Sequence, residues 1–349
     1  MWTKPIREIN HLVKLGRQLE TENGQMLLWP LSGAEIQIQC KEMYVELEGL
    51  GDGQASWFCV WADGAVIARF PVQKGKHWYP VLLGMDDTVS HRITLCHDTQ
   101  PIKGDGMRCI LCAIRSDGKV LEAEKGAYNI EFIGDSLTTG EGCTGPVCAK
   151  EWKTAWMGPS YGYAQRVGEK LNARAHLISQ SGWGVCSDWA GVAENNIPDI
   201  YEQFCGVVPE GKIAYDFPVH MDALVLNLGT NDCSALDTMK EEERPAHREK
   251  IVREAAAFLR RLRAIHPDAY ILWTYGMCGG DLGPDLERAV NTVRTEGDQK
   301  VGYAHLPACP AEETGSLQHP GIANHEQAAV VITEHLKKHA FSASETHDA

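Results

Sequence analysis

The sequence predicts a two-domain protein in which an all-β sandwich, a jelly-roll, is followed by an α/β domain with a parallel sheet. The chain of 349 residues is longer than one ordinary domain, for which about 150 residues is a typical size. Up to about residue 125, short runs of alternating apolar and polar residues are separated by glycine-containing turns, whereas apolar strands and helical stretches alternate afterwards. We therefore expect domains at 1–125 and 126–341, followed by a polar, disordered tail at 342–349.

The N-terminal domain is predicted to consist of short strands without a convincing helix. The segment 34–40 alternates apolar and polar residues, which is the period-2 pattern of a half-buried strand, and 43–48 is similar. Six to eight short strands separated by turn clusters are typical of a β-sandwich. The strands are predicted at 34–40, 43–48, 56–61, 66–71, 77–83, 91–97 and 108–114, and the first twenty or so residues are ambiguous.

After residue 126, the alternation of strands and helices predicts a parallel sheet that is covered by helices on both faces. Strands are predicted at 128–133, 175–179, 223–228 and 270–275, and helices at 161–171, 242–266, 284–296 and 324–339. No internal repeat or low-complexity linker is visible in the sequence, so we expect the two domains to pack directly together.

The charge of the chain disfavours two classes of partner. Thirty-three basic and 47 acidic side chains give a net charge of −14. A surface that negative repels nucleic-acid phosphates and anionic lipid, so we expect neither nucleic acid nor a membrane as a partner. No stretch of the sequence approaches the ~20 consecutive apolar residues of a membrane span. The N-terminal segment lacks the apolar region of a secretory signal, so we expect a cytoplasmic protein.

The twelve cysteines are predicted to be reduced and mostly buried rather than paired in disulfides. They are scattered from Cys40 to Cys309, often inside apolar runs, as expected for small hydrophobic residues of a cytosolic protein. Cys109 and Cys112 are three residues apart in a predicted strand and would face opposite sides. A zinc site would need a second pair or histidines at matching spacing, so we interpret these two as core residues and expect no metal.

The strongest chemical signal is Ser136, which follows the predicted strand 128–133 and the short segment Gly134-Asp135. Ligands of open α/β sheets bind at the carboxyl ends of strands, where a serine could act as a nucleophile if a base were nearby. In isolation, the same residues could equally form a strand followed by a helix-capping serine.

Three further segments could complete such a site. Asn231 follows the strand 223–228 and could donate its amide N–H to a developing oxyanion, although an Asn-Asp loop that caps the next helix is the alternative. Gly182 follows the strand 175–179 and could present a bare backbone N–H, although a simple glycine turn would explain it as well. His319 precedes the last helix and is the best candidate base among fourteen histidines, whereas His325 is interpreted as structural.

Taken in this order, the four segments resemble the SGNH hydrolase superfamily, whose blocks contribute Ser, Gly, Asn and His to one site. The resemblance covers residues 127–340 and implies a flavodoxin-like three-layer domain. The β-sandwich ahead of it is similar to the architecture of carbohydrate esterase family 2, whose members remove acetyl groups from xylan- or mannan-type glycans. The matching blocks are Gly-Asp-Ser-Leu at 134–137, Gly182, Gly-Thr-Asn-Asp at 229–232 and His-Pro at 319–320.

One departure from the superfamily concerns the acid that orients the histidine. Many relatives place an aspartate two or three residues before the histidine, but Leu317 and Ser316 stand at these positions here. Some members of the family lack this aspartate, and the resemblance then implies a Ser-His dyad whose imidazole is held by a backbone carbonyl. We therefore predict a dyad of Ser136 and His319, with Glu313 as the alternative acid.

The resemblance implies a serine esterase that removes acetyl groups from manno- or xylo-oligosaccharides without a cofactor. The implied oxyanion donors are the backbone N–H groups of Ser136 and Gly182 and the side chain of Asn231, with Asp135 and Asp232 as supporting residues. The alternatives are a lipase or thioesterase that uses the same residues, and an inert glycan-binding protein. The oligomeric state stays open. Candidate sugar-stacking residues, each of which could instead be an ordinary core residue, are Trp183, Trp152 and Trp156.

Overall fold

The computed structural model describes residues 1–124, 126 and 128–341, so the predicted tail at 342–349 lies outside the described residues. The strands are β1 (Trp2–Pro5), β2 (Val13–Leu15), β3 (Gln18–Thr21), β4 (Gly24–Leu27), β5 (Gly33–Gln39), β6 (Met43–Leu50), β7 (Trp57–Ala62), β8 (Ala65–Pro71), β9 (Gly75–Leu82), β10 (His91–His97), β11 (Arg108–Ser116), β12 (Lys119–Leu121), β13 (Tyr128–Gly134), β14 (Ala173–Ser179), β15 (Ala223–Asn227), β16 (Tyr270–Tyr275) and β17 (Val301–His305). The α-helices are α1 (Ser136–Thr139), α2 (Tyr163–Leu171), α3 (Thr230–Asp237), α4 (Arg244–Ile265), α5 (Gly283–Thr295) and α6 (Ile322–His339). Single 3₁₀ turns occur at Ile6–Glu8, Thr154–Trp156, Pro159–Tyr161, Pro198–Ile200, Pro209–Gly211, Ala311–Glu313 and Ser316–Gln318.

The N-terminal part forms two antiparallel sheets that enclose a common core. One sheet has the order β3-β4-β11-β6-β9 with β1 beside β11, and the other has the order β12-β5-β10-β7-β8 with β2 beside β5. The predicted strands agree with β5–β11 to within two residues at each end, whereas β1–β4 and β12 were not predicted. The antiparallel sheets confirm an all-β domain, and the jelly-roll connectivity stays a prediction.

The C-terminal part is a three-layer α/β domain. Its parallel sheet has the order β14-β13-β15-β16-β17, which is the 2-1-3-4-5 order of flavodoxin-like folds. Side chains alternate between the two faces, so Phe132 and Val225 pack with α2 and α6, whereas Ile133 and Leu226 pack with α4 and α5. The four predicted strands and four predicted helices correspond to β13–β16, α2 and α4–α6, whereas α1, α3 and β17 were not predicted.

The two parts pack directly against each other, as expected from the absence of a linker. Trp29 and Cys112 of the sandwich lie in the same hydrophobic cluster as α4 and α5, while Trp61 shares a cluster with α2 and α6. Cys109 lies instead in the sandwich core, so the two strand cysteines face opposite sides, as predicted. Within the described ranges, no helix has both the length and the apolar character that a membrane crossing requires.

Candidate active site

Three of the predicted residues lie at the carboxyl edge of the parallel sheet. β13 is hydrogen-bonded to β14 on one side and β15 on the other, so the loops after these strands meet where the strand order reverses. This reversal is where α/β sheets bind ligands. A cavity of about 530 Å³ opens at this place, and its wall contains all four predicted residues: Ser136, Gly182, Asn231 and His319.

Ser136 is the first residue of the short helix α1, and Asp135 caps that helix. Asp135 Oδ1 accepts a hydrogen bond from the backbone N–H of Leu137 at 3.0 Å, which fixes the turn between β13 and α1. Ser136 retains 7% of its surface exposed. Within the described ranges, the Ser136 N–H donates to no other group, as expected at the first position of a helix. Both the hydroxyl and this N–H are therefore available for chemistry.

Gly182 lies in a turn, residues 181–183, which we call the oxyanion turn. Its φ of +82° is in the region that favours glycine, and a Cβ there would lie 3.2 Å from Trp189 Cδ1. Its carbonyl accepts from the Trp189 N–H at 3.0 Å, whereas its own N–H has no acceptor among the residues described. The turn therefore presents a backbone donor to the cavity.

Asp232 holds the chain just after the oxyanion turn. Its carboxylate is fully buried and accepts from the N–H groups of Val185 at 2.7 Å and Cys186 at 2.8 Å. Burial raises the pKa of Asp232 to about 6, and these two hydrogen bonds oppose the rise. A Cβ at Gly184 would lie 2.2 Å from this carboxylate, so the close approach requires glycine. Asp232 is thus a supporting residue that ties the segment of Asn231 to the segment that follows Gly182.

Asn231 points its side-chain amide into the same region. Its Nδ2 donates to the Trp183 carbonyl at 3.0 Å and to Asp135 Oδ2 at the longer distance of 3.3 Å. Burial, together with the nearby charges of Asp232 and Glu141, raises the pKa of Asp135 to about 7. One carboxyl oxygen of Asp135 thus accepts from the first turn of α1, and the other accepts from the side-chain amide of Asn231. Asp135 thereby orients both Ser136 and Asn231.

His319 is held by a backbone carbonyl, not by a carboxylate. Its Nδ1 lies 3.1 Å from the Leu317 carbonyl oxygen. Because a carbonyl only accepts, Nδ1 carries the hydrogen of the neutral ring and Nε2 keeps its lone pair. Leu317 and Gln318 have φ values of +54° and +60°, which is strained backbone for residues with a Cβ. Glu313 instead accepts from Gln327 at 3.1 Å.

Ser136 Oγ and the His319 ring line one cavity without a hydrogen bond between them, as far as the described residues extend. Such a bond between a nucleophile and its base is often long in an enzyme without substrate and tightens on binding. His325, which the sequence assigned to a structural role, is fully buried, and its Nδ1 accepts from the Tyr163 N–H at 3.2 Å.

The predicted tryptophans differ in their positions. Trp152 lines the cavity, whereas Trp183 is only 7% exposed and belongs to the hydrophobic core beneath it. The stacking role proposed for Trp183 is therefore not favoured, because its ring is covered by protein. Trp156 is half-buried beside Gly145 and is not part of the cavity wall. Trp189 is 60% exposed and lines the cavity, but the sequence analysis did not select it.

Several other wall residues were also missed. Glu141 follows α1 by two residues, and Gln100, Ile102 and Lys103 come from the loop after β10 of the sandwich. Glu141 lies only five residues after Ser136 and could have been noticed in the sequence. The loop after β10 could not, because no sequence pattern connects it to the four predicted segments. In the described part of the chain, no group of three or more His, Cys, Asp or Glu side chains is placed to hold a metal ion.

Comparison with known proteins identifies the family. Residues 132–308 match the model of the GDSL-like Lipase/Acylhydrolase family, which is half of the chain. The chain belongs to this family. It is also similar in fold to an acetyl xylan esterase, Est2A, from the rumen bacterium Butyrivibrio proteoclasticus, with a TM-score of 0.91 and 29% identity over 97% of this chain and 99% of that one.

Two further relatives point in the same direction. A family two carbohydrate esterase from Clostridium thermocellum, solved in complex with cellohexaose, has a TM-score of 0.81 and 26% identity over 94% of this chain and 98% of that one. The cellulase/esterase CelE of Acetivibrio thermocellus is 27% identical over 90% of this chain. The chain spans only 38% of the length of CelE. The resemblance to family two carbohydrate esterases thus holds for both domains.

Proposed function

We propose that this chain is a serine esterase that removes O-acetyl groups from acetylated plant-glycan oligosaccharides of the xylo or manno type. The observation that carries the proposal is the meeting of Ser136, Gly182, Asn231 and His319 in one cavity wall. The names of the similar structures, an acetyl xylan esterase and a carbohydrate esterase bound to cellohexaose, support a sugar ester as the substrate.

The mechanism begins with proton transfer from Ser136 to His319. Nε2 of His319 takes the hydroxyl proton as Ser136 Oγ attacks the acetyl carbonyl, and the Leu317 carbonyl keeps the ring in the required tautomer. This arrangement is a dyad, because the position that an aspartate takes in a triad is taken by a backbone carbonyl. His319 then donates the proton to the departing sugar oxygen, and water hydrolyses the acetyl-enzyme by the same steps.

The oxyanion of each tetrahedral intermediate is stabilised by three donors. The N–H groups of Ser136 and Gly182 have no partner among the described residues, and Asn231 exchanges its long bond to Asp135 for a bond to the oxyanion. Such prearranged donors stabilise charge that develops only during the reaction. The exposed ring of Trp189 and the ring of Trp152 flank the cavity, and both suit the apolar face of a pyranose.

The proposal is tested by following acetate release from acetylated xylo- and manno-oligosaccharides by NMR, with wild type and Ser136→Ala side by side. We expect release by the wild type and a loss of at least about 10³-fold in the variant. Equal release by both would contradict the mechanism and leave a glycan-binding role. A strong preference for p-nitrophenyl octanoate over the acetate would instead indicate a lipase or thioesterase.

A further inference from the structure

Glu141 is held next to the catalytic pair by backbone contacts on both sides. Its N–H donates to the Ser136 carbonyl at 2.9 Å, in the turn that ends α1. The following residue, Gly142, accepts from the Ser316 N–H at 2.9 Å in the loop that carries His319. A Cβ at Gly142 would lie 2.3 Å from the Ser316 carbonyl oxygen, so only glycine permits this contact. Glu141 therefore has a fixed position between the nucleophile and the base.

The side chain of Glu141 is mostly buried, and its carboxylate faces the cavity without a hydrogen-bond donor among the described residues. Its side chain is 9% exposed and Oε1 lies 3.9 Å from Nε2 of His319, which is beyond hydrogen-bond distance. Among the described residues, no N–H or O–H donates to it and no lysine or arginine pairs with it. Lys103, the cation of the same cavity wall, donates instead to Asn195 at 2.7 Å. A carboxylate that faces a cavity and accepts from no protein group is free to accept a hydrogen bond from a ligand there.

The position of the carboxylate limits which group that donor belongs to. The departing sugar oxygen must lie within about 2.6–3.2 Å of His319 Nε2 to receive the proton. The Glu141 carboxylate, with one oxygen 3.9 Å from the same nitrogen, faces the same part of the cavity as that sugar oxygen. In a pyranose, hydroxyls on the adjoining carbons lie close to hydrogen-bond length from the esterified oxygen. They are therefore the donors that Glu141 can reach.

We propose that Glu141 is a specificity-determining residue that accepts a hydrogen bond from a free hydroxyl beside the acetylated position. The inference rests on the proposed esterase function and adds the substrate class, sugars that are acetylated only in part. A site built to bind a hydroxyl rejects analogues without it, because its own polar group is left unpaired. Sugars that carry acetyl groups on adjoining hydroxyls are consequently poor substrates.

The test compares two substrates in wild type and Glu141→Ala. One is the mono-O-acetylated methyl xyloside or mannoside that the wild type cleaves fastest, and the other is the same ester with its remaining hydroxyls methylated. We expect the wild type to prefer the free sugar by about 10- to 100-fold in kcat/KM, as for a hydrogen bond to a charged group. Glu141→Ala loses most of this preference, and Glu141→Gln, which keeps an acceptor oxygen, retains part of it.

Two controls separate this role from others. Glu313→Ala removes an acid that contacts Gln327 away from the cavity, and it should keep the full preference of the wild type. p-Nitrophenyl acetate, which has no hydroxyl, should lose less activity in Glu141→Ala than the free sugar does.

Equal losses on all esters would show that Glu141 acts through His319 or on folding, and the inference would fail. An unchanged preference in Glu141→Ala would also overturn it. If the wild type cleaved none of these esters, the proposed function itself would fail, and this result is visible without any variant.

Discussion

Asp135→Asn is expected to make the stability of the protein less sensitive to pH. Asp135 is fully buried, and its pKa is raised by burial from the ordinary 3.8 to about 7. Between these two pH values the folded chain keeps a proton that the unfolded chain releases. The contribution of this group to stability is therefore complete below about pH 4 and is lost as the pH rises towards 7.

The size of the effect follows from the shift. A rise of about three pH units corresponds to at most about 4 kcal/mol, since one unit is about 1.4 kcal/mol. Asparagine does not titrate in this range and keeps an acceptor oxygen for the Leu137 N–H. Wild type should therefore lose up to this amount of stability between pH 4 and pH 8, whereas Asp135→Asn should not. The free energy of unfolding of the variant minus that of wild type should rise by the same amount over this pH range.

Urea denaturation at pH 4.5, 6, 7 and 8 measures this difference. Asp216→Asn, which changes an exposed carboxylate, is the control and should give a nearly flat difference. If the difference for Asp135→Asn were the same at pH 4.5 and pH 8, the reasoning would be refuted. The variant should also turn over more slowly at all pH values. With its oxygen on Leu137, the new amide places a donor against the donor Nδ2 of Asn231.

Three further predictions concern residues in the cavity wall and directly behind it. Asn231→Ala should lower kcat for p-nitrophenyl acetate by about 10²–10³ with a smaller change in KM, because it removes an oxyanion donor; a loss confined to KM would contradict this role. Gln100→Leu removes the acceptor that holds the oxyanion turn and should lower kcat more than tenfold. Glu35→Gln, which weakens the ion pair with Arg174 between the domains outside the cavity, should lower the melting temperature without this fall in kcat. Gly142→Ala should cost about 1–2 kcal/mol for its φ of +72° and more for the contact with the loop of residues 315–319. Differential scanning calorimetry would show this cost as a lower melting temperature, and an unchanged temperature would contradict the close packing.

The sequence predicted those elements whose pattern is local. The strand that ends before Ser136 is an apolar run bounded by glycine, and its period and length are enough to identify it. The helix α3 was missed because its eight residues are mostly polar and begin with the catalytic block itself, which was considered only as a loop. The strands β1–β4 are three or four residues long, too short for a period-2 pattern to appear.

Three of the four predicted blocks combine a strand end with a reactive or glycine residue, and the fourth places His319 in the loop before the last helix. Trp183 shows where this reasoning stops, since its place beside Gly182 suggested stacking, yet the side chain points into the core. The sequence predicts the backbone turn, but only the packing of the folded chain decides that Trp183 lies in the core and Trp189 in the cavity wall. Glu141 is similar: its distance from His319 depends on a contact between residues 142 and 316, which are far apart in the chain.

The largest omission from the sequence analysis has a general physical reason, because it concerns contacts between domains. Gln100 Oε1 accepts from the Ser181 N–H at 2.8 Å and lies 3.3 Å from the Thr139 hydroxyl, so one side chain of the sandwich holds the oxyanion turn and contacts α1. A backbone N–H can only donate, so the amide of Gln100 has its oxygen on this side. Asp98, two residues earlier, is fully buried and accepts from the N–H and hydroxyl of Ser160 at 2.9 and 2.6 Å, which fixes the segment against the α/β domain. The sandwich therefore forms one wall of the candidate active site, and substitutions at its contact with the oxyanion turn should alter turnover as well as stability.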